Sequence, residues 1–150
     1  MVFDVIDVKI PDQKTYFTQW FHTDCIATAH NVAIYSEEHW DLIDKYMAMA
    51  NELGINMILT PVFTPPLDTD IGGERTTVQL VDVKKENGAY SFNFDKLDRW
   101  IEMCNRVGIR YFEIAHLFTQ WGAQRAPKIE AYVEGEYKRI FGWETDSASE

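Results

Sequence analysis

Cysteine is almost missing from this sequence: Cys25 and Cys104 are the only two among 150 residues. A disulfide-stapled secreted scaffold is thereby excluded. Basic residues are also scarce, 14 Lys and Arg against 24 Asp and Glu, which leaves a formal net charge of −10. A phosphate polymer would be repelled by that charge, so nucleic acid is not an expected partner, and an anionic membrane surface is disfavoured for the same reason. A neutral ligand such as a sugar is indifferent to it. No apolar stretch approaches the roughly 18 residues of a membrane span. The N-terminus has no basic region followed by an apolar core, so no export signal is read and a cytoplasmic location is expected.

Apolar residues make up 46% of the chain and aromatics 14%, enough for one domain with a real core. Their arrangement carries an internal repeat. The first copy is Ile43-Asp44-Lys45-Tyr46-Met47, Ala50-Asn51 and Leu53-Gly54-Ile55; the second is Leu97-Asp98-Arg99-Trp100-Ile101, Cys104-Asn105 and Val107-Gly108-Ile109. Asp41 has its counterpart in Asp95. In each copy apolar residues recur at helical spacing, a glycine closes the helix and an apolar run follows. That is a helix feeding a buried strand, twice, and it implies a parallel sheet.

The remaining signals fill in the order. Val2 to Ile10 alternates as a short strand and Pro11-Asp12 breaks it; Thr15 to His22, aromatic and β-branched, reads as the first core strand. A loop is expected over His22 to Tyr35, then a helix capped by Ser36 that ends at Leu53, with the stripe Trp40, Ile43, Met47, Ala50 and Leu53. Asn56 to Leu59 is the second strand. A second helix starts near Asn93 or Asp95 and stops at Gly108, and Arg110 to Ile114 is the third strand. Two hairpins are expected in the long connections: Val78 to Val83 with Ala89 to Phe94 about Asn87-Gly88, and Lys128 to Val133 with Glu136 to Ile140 about Glu134-Gly135. Glu144 to Glu150 reads as a polar, frayed tail.

Strand, helix, strand, helix, strand is the opening of a (β/α)₈ barrel, with hairpins in the loops that form its C-terminal face. A doubly wound sheet shares the alternation but would carry a Gly-rich phosphate turn after its first strand. The segment Thr23-Asp24-Cys25-Ile26-Ala27 cannot act as one. A whole barrel needs about 250 residues, so the expected fold is a partial TIM barrel of three strands and two helices. Its open sheet edges invite self-association. The domain division is 1–14 as a lead-in strand, 15–143 as the partial barrel and 144–150 as the tail.

Several long motifs point to a family. Thr18-Gln19-Trp20-Phe21-His22-Thr23-Asp24, the run Gly54 to Thr69, Gly72-Gly73-Glu74-Arg75 and His116-Leu117-Phe118-Thr119-Gln120-Trp121-Gly122 resemble the first part of the catalytic domain of glycoside hydrolase family 123. The resemblance runs from about Thr15 to about Asp146. It implies a (β/α)₈ domain, with Val2 to Ile10 as the end of a preceding β-sandwich. It also implies a retaining β-N-acetylgalactosaminidase that uses the substrate's acetamido group as nucleophile. In that chemistry an adjacent Asp-Glu pair works as orienting residue and general acid, an exception to the usual two-carboxylate scheme. This sequence contains no Asp-Glu dipeptide. The pair is expected beyond this chain, so no catalytic residue is assigned within it, and the chain alone is expected to be inactive. No cofactor is implied.

Substrate-contacting candidates are His22 and Asp24 after the first strand, Glu113 and His116 at the end of the third, Trp121 beyond it, and Arg75 in the long loop. Each has a plainer reading. His22 and Asp24 are either hydrogen-bond partners of sugar hydroxyls or loop caps. Glu113 and His116 either face a ligand or pair with a neighbouring strand. Arg75 either holds substrate or orders its own loop through a carboxylate. Trp20, Trp121 and Trp143 are the stacking candidates; Trp121 is the better platform, while Trp20 within the first strand is assigned to the core, as are Trp40 and Trp100 on the helix stripes. His22, Asp24, Glu113 and His116 as a metal set match no ligand spacing. A non-catalytic carbohydrate-binding or structural α/β module, and less so a metal-dependent barrel hydrolase, remain as alternatives.

Overall fold

The computed structural model describes residues 2–9, 11–67, 69–119 and 122–149. In chain order the elements are β1 (Thr18–Gln19), α1 (Thr23–His30), α2 (Glu37–Glu52), β2 (Met57–Thr60), β3 (Asp82–Glu86), β4 (Ala89–Asn93), α3 (Asp95–Val107), β5 (Tyr111–Ile114), β6 (Ile129–Val133) and β7 (Glu136–Phe141). The fold is mixed α/β. β1, β2 and β5 form an all-parallel sheet in the order β1-β2-β5. β4-β3-β6-β7 form a second, four-stranded sheet.

The two repeat copies fold alike. Ser36 caps α2, its hydroxyl accepting from His39 N–H at 3.2 Å, and Glu37 and Glu38 sit at the positive end of the helix dipole. α3 ends at Gly108 in the left-handed conformation. Both helices pack on one face of the parallel sheet. Trp40, Ile43 and Met47 of α2 and Trp100, Met103 and Cys104 of α3 close over Ile58 and Ile109, with Phe112 at the margin. Cys104 lies 3.4 Å from Met47 sulfur as a core residue, and burial pushes its thiol pKa up to about 12. Cys25 is a free, exposed thiol.

Where the structure departs from the sequence reading, a competing contact explains it. The first strand is only two residues long, because the Asn56 side chain captures its start: it accepts from Phe17 N–H at 2.9 Å and donates to Thr15 carbonyl at 3.0 Å. The expected loop after it contains α1, closed by Asn31 at φ 54°. Its segment, TDCIATAH, has too short an apolar period to announce a helix. Leu53 leaves the α2 stripe and is exposed, since the helix stops before it. Residues 2–9 form no strand and have no strand partner among the described residues; Ile10 lies outside them.

Both hairpins form at the expected turns, with Asn87-Gly88 at φ 50° and 79° and Glu134-Gly135 at φ 51° and 87°. The first hairpin starts later than expected, at Asp82. Val78 to Val81 instead folds back on the segment after β2: Val78 N–H donates to Thr64 Oγ1, Leu80 N–H to Pro61 carbonyl and Val81 N–H to Val62 carbonyl. The two hairpins then join through parallel pairing of β3 with β6. Buried Gln79 fastens the joint. Its amide donates to Val81 carbonyl at 3.0 Å and Glu130 carbonyl at 2.9 Å, and accepts from Glu130 N–H at 2.9 Å. The segment read as a frayed tail is bonded as well: Ala126 N–H donates to Thr145 carbonyl and Ser147 N–H to Gln124 carbonyl. Among the described residues no helix is long and apolar enough to cross a membrane.

The repeat's two glycines differ in their surroundings. A methyl group at Gly54 (φ +90°) would meet open space, whereas at Gly108 (φ +105°) it would lie 2.7 Å from Asn51 Oδ1. Both Gly54→Ala and Gly108→Ala incur the left-handed penalty of about 1 kcal/mol. Gly108→Ala is expected to lose about 1 kcal/mol more, from overpacking. Urea unfolding of the two variants measures the difference, and equal losses would contradict it.

Candidate functional site

The C-terminal ends of β1, β2 and β5 lie side by side because the strands are parallel and in register, Leu59 opposite Glu113 and Thr60 opposite Ile114. Alternation along each strand puts Ile58 and Phe112 toward the helices, and Thr18, Leu59 and Glu113 on the opposite face. There Thr18 Oγ1 donates to Glu113 Oε2 at 2.8 Å, reaching across β2. Glu113 is half-buried on the face opposite the helices. His116 follows β5 and is exposed, with the Trp20 ring edge-on at 6.0 Å. Trp20 is 43% exposed, which corrects its assignment to the core: β1 ends at Gln19, so Trp20 stands beyond the sheet.

His22 precedes α1 as its N-cap residue with extended backbone, and Asp24 occupies the first turn. The Asp24 side chain is only 10% exposed and meets an equally buried Arg75, Oδ1 to Nη2 at 2.9 Å. Arg75 comes from the connection after β2. The same Nη2 lies 3.1 Å from Cys25 sulfur, and Nη1 donates to Leu67 carbonyl at 3.3 Å. Burial works against the guanidinium charge, but the hydrogen bond and charge of Asp24, helped by Cys25, outweigh it and raise the Arg75 pKa. Of the two roles weighed for Arg75, the geometry supplies the loop-ordering one directly.

The structure therefore brings the sequence-derived residues together in pairs, Asp24 with Arg75 and Trp20 with His116. Among the described residues no three His, Cys, Asp or Glu side chains converge on a metal-sized site. Trp121 lies outside the described residues. Trp143, considered as a stacking platform, donates its indole N–H to Gly73 carbonyl at 2.6 Å and clamps the Arg75 loop. Next to it Glu74 pairs with Arg139, which also meets Glu144 at 3.0 Å. The crevice these loops enclose has a volume of about 10 Å³, room for one water at most.

Two side chains that hold this region went unnoticed in the sequence, His39 and Tyr35. His39 Nε2 lies 2.9 Å from Thr23 carbonyl, and its Nδ1 accepts from Tyr35 N–H at 2.9 Å. The Tyr35 hydroxyl donates to Val78 carbonyl and its ring stacks on Trp40 at 4.9 Å. Burial raises the Tyr35 pKa, so the hydroxyl stays a donor. The only hint in the sequence was a histidine three residues after a serine N-cap.

The family model described as glycoside hydrolase 123, catalytic domain, matches residues 20–150. Among solved structures, the fold is similar to that of a family 123 glycoside hydrolase from Clostridium perfringens, a structure concerned with glycolipid glycan hydrolysis. The TM-score is 0.68 at 14% identity, over 91% of this chain and 25% of that one. The chain thus spans about a quarter of the length of that structure. No curated protein matches it in sequence.

The Asp24–Arg75 pair is buried enough for its loss to be asymmetric. Asp24→Ala leaves an uncompensated guanidinium and is expected to cost about 3–5 kcal/mol. The double variant Asp24→Leu, Arg75→Met is expected to cost less than Asp24→Ala alone. Denaturant unfolding of the two variants gives the answer, and a double variant that loses as much as Asp24→Ala or more would contradict it.

Proposed function

The chain belongs to the glycoside hydrolase 123 catalytic-domain family, and from that premise we propose that it forms the first part of a (β/α)₈ glycosidase. The parent activity is hydrolysis of β-linked N-acetylhexosaminides, N-acetylgalactosamine foremost, with retention and with the substrate's acetamido group as nucleophile. The observation that carries this reading is the family match over residues 20–150. The parallel order β1-β2-β5 with helices on one face agrees with a barrel segment, the uncovered face becoming the barrel interior. Under this reading residues 1–14 are the lead-in from a preceding β domain, 15–143 the barrel segment and 144–150 its polar end. The sheet completes itself with further strands of the same fold or, when these are missing, by association.

Within this proposal the chain supplies cleft wall and sugar contacts. Glu113, already accepting from Thr18, offers a carboxylate to sugar hydroxyls from the interior face. His22 follows β1 and His116 follows β5, at the same end of the sheet, as further contacts. Asp24 and Arg75 act as one unit, Arg75 neutralising the carboxylate and holding it at the start of α1. Trp121 is the stacking platform for the apolar side of the pyranose. The Asp-Glu pair that orients the acetamido group and protonates the leaving oxygen lies outside this chain. Carboxylate contacts to the sugar sharpen transition-state binding only once that pair is present, which is why this segment by itself is expected to be inactive.

Two measurements test this. The protein encoded by the complete reading frame should hydrolyse an aryl β-N-acetylgalactosaminide, and Glu113→Gln should lower its kcat/KM about 10- to 100-fold, the worth of one charged hydrogen bond. A complete protein without glycosidase activity would refute the reading. Residues 1–150 alone should associate in light scattering through the single-neighbour edges of β1 and β5, and a dispersed monomer would count against the open-barrel geometry.

A further inference from the structure

His39 is fully buried, and both nitrogens of its ring are engaged. Its partners fix its state. Because Tyr35 N–H donates to Nδ1, that nitrogen carries no proton; the proton of the neutral ring sits on Nε2 and is donated to Thr23 carbonyl. One ring thereby ties the start of α1 to the loop leading into α2. Thr23 is the residue before Asp24, and Tyr35 reaches on to Val78 in the connection that carries Arg75. The segments that carry Asp24 and Arg75 are thus both bonded to the same imidazole, one at Thr23 directly and the other at Val78 by way of Tyr35.

The anchor also holds a costly conformation. Tyr35 has φ +55°, a left-handed backbone that a bulky residue adopts only under constraint. The accepting Nδ1 lone pair, the Val78 bond and the stack on Trp40 are what the structure provides to hold it there. A second proton on the ring would turn Nδ1 into a donor facing another donor. The contact with Tyr35 would be lost, while the one with Thr23 would persist.

We infer that His39 is the positioning residue of the candidate site: a neutral, tautomer-locked latch that joins the Thr23–Asp24 turn to the Tyr35 loop and releases that loop on taking up a proton. The charged and titratable groups around it are Asp24 of α1 with its partner Arg75, Tyr35 of the connecting loop, and Lys96 of α3 over the Tyr35 ring at 5.9 Å. Burial opposes the protonated ring, while the hydrogen bond to Thr23 carbonyl and the charge of Asp24 favour it; burial is the larger influence, so the pKa is lowered from 6.5. The sign follows. Above 6.5 the ring is neutral whether the latch is closed or open, and the latch is at full strength. As pH falls below 6.5 toward the lowered value, the open form binds the proton first and the latch weakens.

The test uses residues 1–150 without substrate, so its outcome is separate from that of the glycosidase reading. Nitrogen NMR at pH 7.5 should show His39 protonated on Nε2 and not on Nδ1. Hydrogen-exchange protection at Tyr35, corrected for intrinsic rates, should fall by about tenfold per pH unit below 6.5 until the lowered pKa is reached. His39→Gln, which retains a donor for Thr23 but cannot titrate, should show protection that is flat over the same range. A proton found on Nδ1 at pH 7.5, or wild-type protection that does not change between pH 7 and pH 5, overturns the inference. The wild-type measurements stand even if the variant does not fold.

Discussion

Everything in this structure depends on one-sided packing of a three-stranded parallel sheet. α2 and α3 bury Trp40, Ile43, Met47, Trp100, Met103 and Cys104 over one face, with Ile58 at the centre of the contact. Burial of side chains of this size contributes about 1.5–3 kcal/mol each, so this layer fixes where the strands lie and which way they run. The same packing leaves the other face without a helix among the described residues. Along that face the chain places Thr18 and Glu113, joined by a hydrogen bond, with Leu59 packed against Leu67 and Ala115. A large apolar layer on one side, and on the other a small apolar cluster beside the Thr18–Glu113 pair, follow from the alternation of a strand.

Above the strand ends the logic changes from apolar to polar. The long connections after β2 and β5 do not bring a large core of their own. They are held by buried and part-buried groups whose hydrogen-bonding capacity is used locally: Gln79 between Val81 and Glu130, Trp143 on Gly73, Arg75 on Asp24 and Leu67, Tyr35 on Val78. Such a network is sensitive to the loss of a single member, because each removal strands a partner away from water. It also explains why the crevice between the loops is nearly filled. The loops form a rim, and the surface they surround is the one carrying Glu113.

The legible part of this chain was the part written in local pattern. The repeat announced α2 and α3 and the strands that follow them, because an amphipathic stripe and a terminating glycine are read within one segment. Asn87-Gly88 and Glu134-Gly135 announced hairpins for the same reason, since a turn with positive φ at both central residues selects its own residue types. α1 was invisible because eight residues offer two turns and no clear period. The early end of β1 was invisible because the competitor, Asn56, sits at the foot of another strand.

Sequence alone, then, determined the α/β class, the parallel direction of the sheet, the two hairpins, the family and the acidic residues available for a site. Tertiary structure alone decided that Arg75 belongs to Asp24, that Thr18 reaches Glu113, that His39 holds Thr23 and Tyr35, and that the two hairpins merge through β3 and β6. The division has a physical cause. Helices, turns and strand periods are set by neighbours a few residues away. A buried polar pair is set by which distant groups the packed core brings within hydrogen-bonding reach, and nothing in either segment alone encodes that distance.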